Sequence, residues 1–187
     1  MPFDHFNLIA GFYDKAAQFT VTEPLKGLLS LSSTHVLLDV GGGTGRVAAA
    51  FRNMVREAVV VDVSRGMLCR AAEKGLEAVR APAECLPFPS GTFDRIIMLD
   101  ALHHVHDQSQ TAGELWRVLA PGGKLIIVEP NIDLFTVRLI ATMEKILFMH
   151  SHFLAGEKIA CLFKDRELRS KVIYSDYNVI VLVERVR

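Results

Sequence analysis

Short apolar runs alternate with longer segments of mixed polarity through the middle of the chain. Mainly apolar runs rich in aliphatic residues predict strands that are buried in a sheet, and segments with an apolar residue every three to four positions predict helices. The predicted strands are residues 36–40, 58–63, 77–80, 93–99 and 124–129, and the predicted helices are residues 45–54, 64–74 and 107–119. Strands that alternate with helices in this way predict a mostly parallel sheet with helices on both faces.

The two ends of the chain depart from this alternation. Residues 4–30 carry spaced apolar positions that predict a helical segment, and residues 132–149 predict a further helix. Two apolar runs, 170–174 and 178–186, then follow each other with only a short connection. A connection of that length favours an antiparallel hairpin, because a parallel pair needs a longer crossover.

The loop after the first predicted strand is rich in glycine. Glycines at 41, 43 and 45 follow Asp39, and Arg46 stands where a dinucleotide-binding G-x-G-x-x-G loop would have its last glycine. Glycine lets the backbone turn sharply and approach a ligand, so the loop predicts a cofactor site, but the spacing disfavours NAD. The second strand ends at Asp62, a position from which a carboxylate can accept hydrogen bonds from both ribose hydroxyls of a nucleoside.

Composition narrows the class of protein. A chain of 187 residues, half of them hydrophobic, is long enough for one well-packed domain. Lysine and arginine together number 21 and so do aspartate and glutamate, and this balance disfavours a nucleic acid as partner. The three cysteines are widely spaced without a C-x-x-C pair, and neither a secretory signal nor a membrane-spanning run is evident. These features predict a cytoplasmic protein with reduced thiols and no stable membrane insertion.

Four blocks, 37–45, 60–68, 83–105 and 114–131, occur in an order and spacing that resemble the class I S-adenosylmethionine-dependent methyltransferases. The similarity is greatest to the small ubiquinone/menaquinone-biosynthesis-like enzymes of the methyltransferase type 11 branch. The resemblance implies an α/β fold: a Rossmann-like, doubly wound, mostly parallel seven-stranded sheet with an antiparallel C-terminal hairpin strand and helices on both faces. It implies a single S-adenosylmethionine-binding domain over 1–187, with an N-terminal helical lid at 1–30 and a substrate-side cap at 132–170.

The resemblance also implies which residues contact S-adenosylmethionine. The glycine loop would approach the methionyl part, Asp62 would bind the ribose, and residues after the third strand would edge the adenine. Pro82 stands where relatives often carry Asp or Asn, so the backbone of Ala83 or the carboxylate of Glu84 would make that contact. The implied cofactor-binding residues are Asp39, Gly41, Gly42, Gly43, Thr44, Asp62, Val63, Met67, Ala83, Glu84, Leu99, Asp100 and Tyr13.

No catalytic base stands out, because the methyl donor is already activated and transfer depends largely on positioning. The candidates are His103 and Tyr13 first, with His5 and the group at 150–152 also open. His103, His104 and His106 could suggest a metal site. Adjacent histidines at a strand end diverge, however, and no acid or thiol has suitable spacing, so we expect no metal.

The favoured function is methyl transfer to a small acceptor, with hydrophobic and aromatic molecules among the candidates. A noncatalytic S-adenosylmethionine-binding partner or sensor is the alternative, and a nicotinamide-dependent oxidoreductase is a third hypothesis that the glycine spacing disfavours. Residues 132–149 carry more apolar positions than one helix face needs. They could pack in the core, cap the acceptor, touch a membrane or form a homodimer interface.

Overall fold

The fold is a single seven-stranded sheet covered by helices, seen in a computed structural model that describes residues 23–134, 152–164, 166–175 and 177–186. The described helices are α1 (Glu23–Leu29), α2 (Arg46–Phe51), α3 (Arg65–Glu73), α4 (Gln108–Val118) and α5 (Gly156–Cys161). The strands are β1 (Val36–Val40), β2 (Glu57–Asp62), β3 (Glu77–Arg80), β4 (Phe93–Leu99), β5 (Leu119–Pro130), β6 (Leu168–Tyr174) and β7 (Asn178–Arg185).

The strand order is β3-β2-β1-β4-β5-β7-β6. The five strands β3, β2, β1, β4 and β5 run parallel to one another, and β7 is antiparallel to both β5 and β6. The order reverses at β1, so β1 and β4 lie at the centre with their carboxyl ends side by side. This topology confirms the predicted Rossmann-like sheet with its antiparallel C-terminal hairpin strand.

Two apolar clusters, one on each face of the sheet, form the core. On one face Leu38 and Ile96 pack with Leu115 of α4 and Ile159 of α5. On the other face Leu37 belongs to a cluster that includes residues of α1, α2 and α3. Neighbouring residues of β1 therefore point into different clusters, which explains why the strand is apolar without alternation.

Among the described residues, the boundaries agree with the sequence predictions to within two residues except at three places. The second helix ends at Phe51 and continues as a 3-10 turn, Arg52–Met54. Strand β5 begins at Leu119 rather than near 124, because the glycines at 122 and 123 let an irregular stretch stay in the sheet, with a register shift opposite Phe93 and Arg95. Helix α5 was not predicted, since six residues are too few to show a helical period.

Several predicted segments lie outside the described residues. These include 1–22 of the predicted lid and 135–151 of the predicted cap. Residues 132–134 form a turn in which the Leu134 N–H donates to the Asn131 carbonyl at 3.1 Å. In the part of the chain that is described, none of the helices has the length and apolar character needed to cross a bilayer.

Candidate active site

A cavity of about 360 Å³ opens at the carboxyl ends of β1, β2 and β4. Its wall is built from the loops that follow those strands and the loop after β3, all of which meet at one edge of the sheet. Every predicted cofactor residue in the described part of the chain lines it: Asp39, Gly41, Gly42, Gly43, Thr44, Asp62, Val63, Met67, Ala83, Glu84, Leu99 and Asp100. Tyr13 and His5 lie outside the described residues. The structure thus brings the predicted set together, and the role of each residue stays a prediction.

The glycine loop is fixed by its backbone. The N–H groups of Gly41 and Gly42 donate to the Val61 carbonyl at 2.7 and 3.2 Å. Gly41 has φ +67, and a Cβ there would lie 2.5 Å from the Ala101 Cβ, so only glycine lets the two loops pack together. Gly43 has φ +54 with nothing closer than 3.9 Å to a built Cβ, which leaves its backbone open to a ligand.

Asp39 lies beneath this loop and is only 1% exposed. Its Oδ2 accepts the Ala48 N–H at 3.1 Å, and a Cβ on Gly42 would lie 2.5 Å from its Cγ. Burial raises the pKa of Asp39 to about 7, with a further upward contribution from the charge of Asp62. The side chain therefore joins the loop to the start of α2, and it is close to half-protonated near neutral pH.

Asp62 ends β2 and is more accessible. Its Oδ2 accepts the Gly43 N–H at 2.9 Å and its Oδ1 accepts the Ser64 N–H at 2.8 Å. An ionised carboxylate has about four acceptor positions, so each oxygen can accept another hydrogen bond. The Ser64 hydroxyl in turn caps α3 by accepting the Met67 N–H at 3.5 Å. The ribose contact predicted for Asp62 is compatible with this geometry.

The loop after β3 forms the opposite wall. Glu84 Oε1 accepts the backbone N–H groups of His106 and Asp107, at 2.7 and 3.3 Å. That oxygen thereby ties the loop to the N-terminal end of α4, which begins after Asp107. Glu84 Oε1 is thus occupied by backbone donors, and the backbone of Ala83 lines the cavity beside it.

Glu129, in β5, organises the segment that follows β4. Its Oε1 accepts the N–H groups of Ala101 and Leu102, at 3.1 and 2.8 Å, and its Oε2 lies 2.5 Å from the His103 Nδ1. The sequence analysis did not select this residue. The available signal was an apolar strand that ends in an acid, the same signal that identified Asp62.

The two adjacent histidines occupy different places. His103 is 5% exposed, stacks on Phe153 with ring centroids 4.3 Å apart, and is absent from the cavity wall. His104 lines the cavity, and burial together with the neighbouring His103 lowers its pKa to about 4, so it is neutral at physiological pH. His152 is exposed and its N–H donates to the His103 carbonyl at 2.8 Å. The predicted base His103 therefore does not reach the cavity, whereas its neighbour His104 does.

Asp100 and Arg46 complete the polar part of the wall. Burial, followed by the charge of Glu129, raises the pKa of Asp100 to about 6, while His103 and Arg46 oppose that rise. The acidic groups around the cavity suit a ligand that carries a positive charge. Within the described ranges, no three His, Cys, Asp or Glu residues are arranged to hold a metal ion.

Comparison with known proteins gives consistent results. Residues 38–127 match the family described as "Methyltransferase domain". The ubiquinone/menaquinone biosynthesis C-methyltransferase UbiE of Escherichia coli O1:K1 is 38% identical over 106 residues, which cover 51% of this chain and 42% of that protein. The chain therefore aligns with less than half the length of this curated relative.

Solved structures share the fold at low identity. The YcgJ protein from Bacillus subtilis superposes with a TM-score of 0.77 at 20% identity, covering 88% of this chain and 97% of that one. Geranyl diphosphate C-methyltransferase from Streptomyces coelicolor, in complex with Mg²⁺, geranyl diphosphate and S-adenosyl-L-homocysteine, has a TM-score of 0.73 at 13% identity. That alignment covers 88% of this chain and 78% of the other.

Proposed function

We propose that the chain, which matches the methyltransferase-domain family over residues 38–127, is a class I S-adenosylmethionine-dependent methyltransferase that transfers a methyl group from S-adenosylmethionine to a small molecule. The observation that carries this proposal is the cavity at the carboxyl ends of β1, β2 and β4, whose wall contains the glycine loop, Asp62 and Asp100 together. When bound, S-adenosylmethionine supplies the methyl group on an activated sulfonium.

The proposed roles follow from position in the wall. Gly43, with its open backbone, faces the methionyl part, and Asp62 accepts the ribose hydroxyls through the oxygens that already hold Gly43 and Ser64. Val63 and Met67 pack on the adenine ring, since a thioether adapts well to an aromatic face. We also propose the region 1–30 as a lid and 132–170 as a cap on the acceptor side.

The acceptor class to test first is an aromatic quinol. The relative UbiE is named for C-methylation in quinone biosynthesis, and the fold relative from Streptomyces coelicolor is named for C-methylation of geranyl diphosphate, whose geranyl chain is hydrophobic. A reduced quinone ring is a carbon nucleophile once its hydroxyl loses a proton. A hydrophobic acceptor would also suit the apolar residues on the wall, among them Val105 and Met98.

Calorimetric titration with S-adenosylmethionine, S-adenosylhomocysteine and NAD tests the cofactor. We expect micromolar binding of the first two and none of NAD, and failure of both to bind would overturn the proposal. Transfer of a radiolabelled methyl group to a panel of quinols, phenols and amines then tests catalysis. Binding without turnover on any acceptor would favour the noncatalytic sensor instead.

A further inference from the structure

The carboxylates around the cavity are not equivalent. Those of Asp39, Asp62 and Glu84 each accept at least one backbone N–H group. Asp100 differs, because among the described residues no donor is hydrogen-bonded to its carboxylate. It also lines the cavity, so its side chain is positioned to meet a ligand.

The backbone at Asp100 is held in an uncommon conformation. Only two non-glycine residues in the described part of the chain have positive φ, Ser30 at +48 and Asp100 at +51. Ser30 directly follows α1, where a left-handed residue commonly ends a helix. Asp100 follows a strand, and such conformations persist where the surrounding structure imposes them, often at functional sites.

The surroundings of Asp100 are rigid. Its N–H donates to the Val128 carbonyl at 2.9 Å, and Glu129 accepts the N–H groups of the next two residues. The Ala101 Cβ packs against Gly41, as shown by the 2.5 Å approach of a built Cβ. The carboxylate is therefore presented to the cavity from a fixed loop, which is the requirement for accurate placement of a reacting group.

The charge state also suits proton transfer. The groups that act on Asp100 are Glu129, which raises its pKa, and His103 and Arg46, which lower it. With burial as the largest influence, the pKa lies at about 6. At pH 7.5 the carboxylate is mostly ionised, yet it is more basic than an exposed aspartate, as a general base near neutrality should be.

We propose that the carboxylate of Asp100 receives the proton that the methyl acceptor releases, and that the acceptor is accordingly a protic nucleophile such as a phenol, a quinol or an amine. This inference rests on the proposed function. For an oxygen or nitrogen acceptor, the proton passes to an Asp100 oxygen, and the electron pair left on that atom forms the bond to the methyl carbon. For a quinol methylated on carbon, the hydroxyl proton passes to Asp100, the ring carbon forms the bond, and the proton on that carbon then moves to the oxygen. The carbon–sulfur bond breaks with its pair remaining on sulfur, and Asp100 later returns the proton to water.

The test uses sinefungin, an analogue of S-adenosylmethionine that carries a protonated amine where the sulfonium and its methyl group would be. An ionised Asp100 beside that position should favour sinefungin over the uncharged thioether S-adenosylhomocysteine. We expect Asp100→Asn to reduce the ratio of the two affinities about tenfold at pH 7.5. In the unaltered protein, the ratio should fall by a similar factor between pH 7.5 and pH 5.

Proton exchange gives a second readout. At pH 6 we expect sinefungin binding to release about half a proton, measured by calorimetry in two buffers of different ionisation enthalpy. Asp100→Asn should abolish this release. Glu73→Gln is the matched control, because it removes one negative charge from the exposed end of α3, where Glu73 pairs with Arg70 at 3.1 Å. It should leave both readouts unchanged.

Asp100→Gly is a second variant that controls for misfolding of Asp100→Asn, since glycine adopts φ +51 without strain. It should show the same loss of preference for sinefungin over S-adenosylhomocysteine as Asp100→Asn. If both ligands bind and neither variant changes the ratio or the proton release, the assignment of Asp100 is wrong and the cofactor site survives. If neither ligand binds the unaltered protein, the proposed function fails together with the inference.

Discussion

Environment, rather than residue type, separates the aspartates around the cavity. Asp39 is buried under the glycine loop, and the cost of ionising it there raises its pKa to about 7. Asp62 ends the neighbouring strand with two backbone donors and remains partly exposed. The first is suited to holding the loop, and the second to binding a ligand.

Asp62→Ala should weaken binding of S-adenosylhomocysteine by about 1–3 kcal/mol, because the ribose hydroxyls would lose their acceptor. Part of the loss will come from the Gly43 N–H, which Asp62 also holds at 2.9 Å. Asp62→Asn, which keeps one acceptor oxygen in place, should lose less. Titration calorimetry of the three proteins measures the difference, and an affinity unchanged in the alanine variant would refute the ribose assignment.

Asp39→Asn tests the raised pKa through stability. The carboxyl has a pKa of 3.8 when unperturbed and about 7 in the fold, so between those values the folded state binds more protons than the unfolded state. The free energy of unfolding contributed by Asp39 therefore falls as pH rises through that window. Between pH 5 and pH 7.5 the asparagine variant should gain about 2–3 kcal/mol relative to the parent.

Urea unfolding of both proteins at the two pH values measures this gain, and the comparison cancels the titration of Asp100 and other shared groups. Asparagine can still accept the Ala48 N–H, so the hydrogen bond to α2 is kept. A constant difference between parent and variant across pH would mean that Asp39 is ionised throughout.

At the scale of elements, the strands were the most predictable part of the fold. β1 and β4 matched their predicted bounds because each is a mainly apolar run bounded by polar or glycine residues. β5 begins at Leu119 rather than near 124, because Gly122 and Gly123 interrupt the apolar pattern although their backbone fits a register shift in the sheet. Once the strands were predicted, the candidate site followed from them, because residues at the carboxyl ends of adjacent parallel strands lie together.

The parts of the site that the sequence could not supply depend on side-chain direction. Glu129 contacts residues 26 to 28 positions earlier, and only the pairing of β4 with β5 brings them together. Nor does sequence decide which of His103 and His104 enters the cavity, because neighbouring residues in a short turn differ only in orientation.

The glycines of the loop between β1 and α2 should have separable functions. A Cβ at Gly45 would lie 2.5 Å from Leu76 Cδ1 and 3.0 Å from Ala71 Cβ, and its φ is +70. Gly45→Ala should therefore cost about 2–4 kcal/mol of stability through overpacking and strain. Gly43→Ala meets no close neighbour, so it should cost about 1–2 kcal/mol for its positive φ while placing a methyl group in the cavity.

Chemical denaturation and titration with S-adenosylhomocysteine, performed on both variants, distinguish the two effects. Gly43→Ala should show the larger loss of affinity and Gly45→Ala the larger loss of stability. Equal effects on both properties would indicate that the loop acts as one unit.

For the molecule as a whole, the two ends of the parallel strands have different roles. The cavity occupies the carboxyl ends of the parallel strands, whereas the opposite ends hold α1. Arg95, at the start of β4, donates to the carbonyls of Leu29 and Ser30, and Lys124 Nζ reaches the Leu28 carbonyl at 3.3 Å. These side chains satisfy carbonyls at the helix end that have no partner within α1.

Arg95→Met tests whether the anchoring of α1 at one end of the strands is independent of ligand binding in the cavity at the other end. Arg95 is 7% exposed, so methionine would fill its stem but leave buried carbonyls without donors, at a cost of about 2–4 kcal/mol of stability. Lys124→Met is the comparison, because Lys124 is more exposed and its pair with Glu184 at 3.0 Å should contribute less than about 1 kcal/mol. Urea unfolding measures both losses, and hydrogen exchange should show faster opening of α1 in the arginine variant.

The affinity for S-adenosylhomocysteine should stay unchanged in both variants, since the cavity lies at the other ends of the strands. A parallel loss of affinity in Arg95→Met would mean that the anchoring of α1 is coupled to the cofactor site through the sheet.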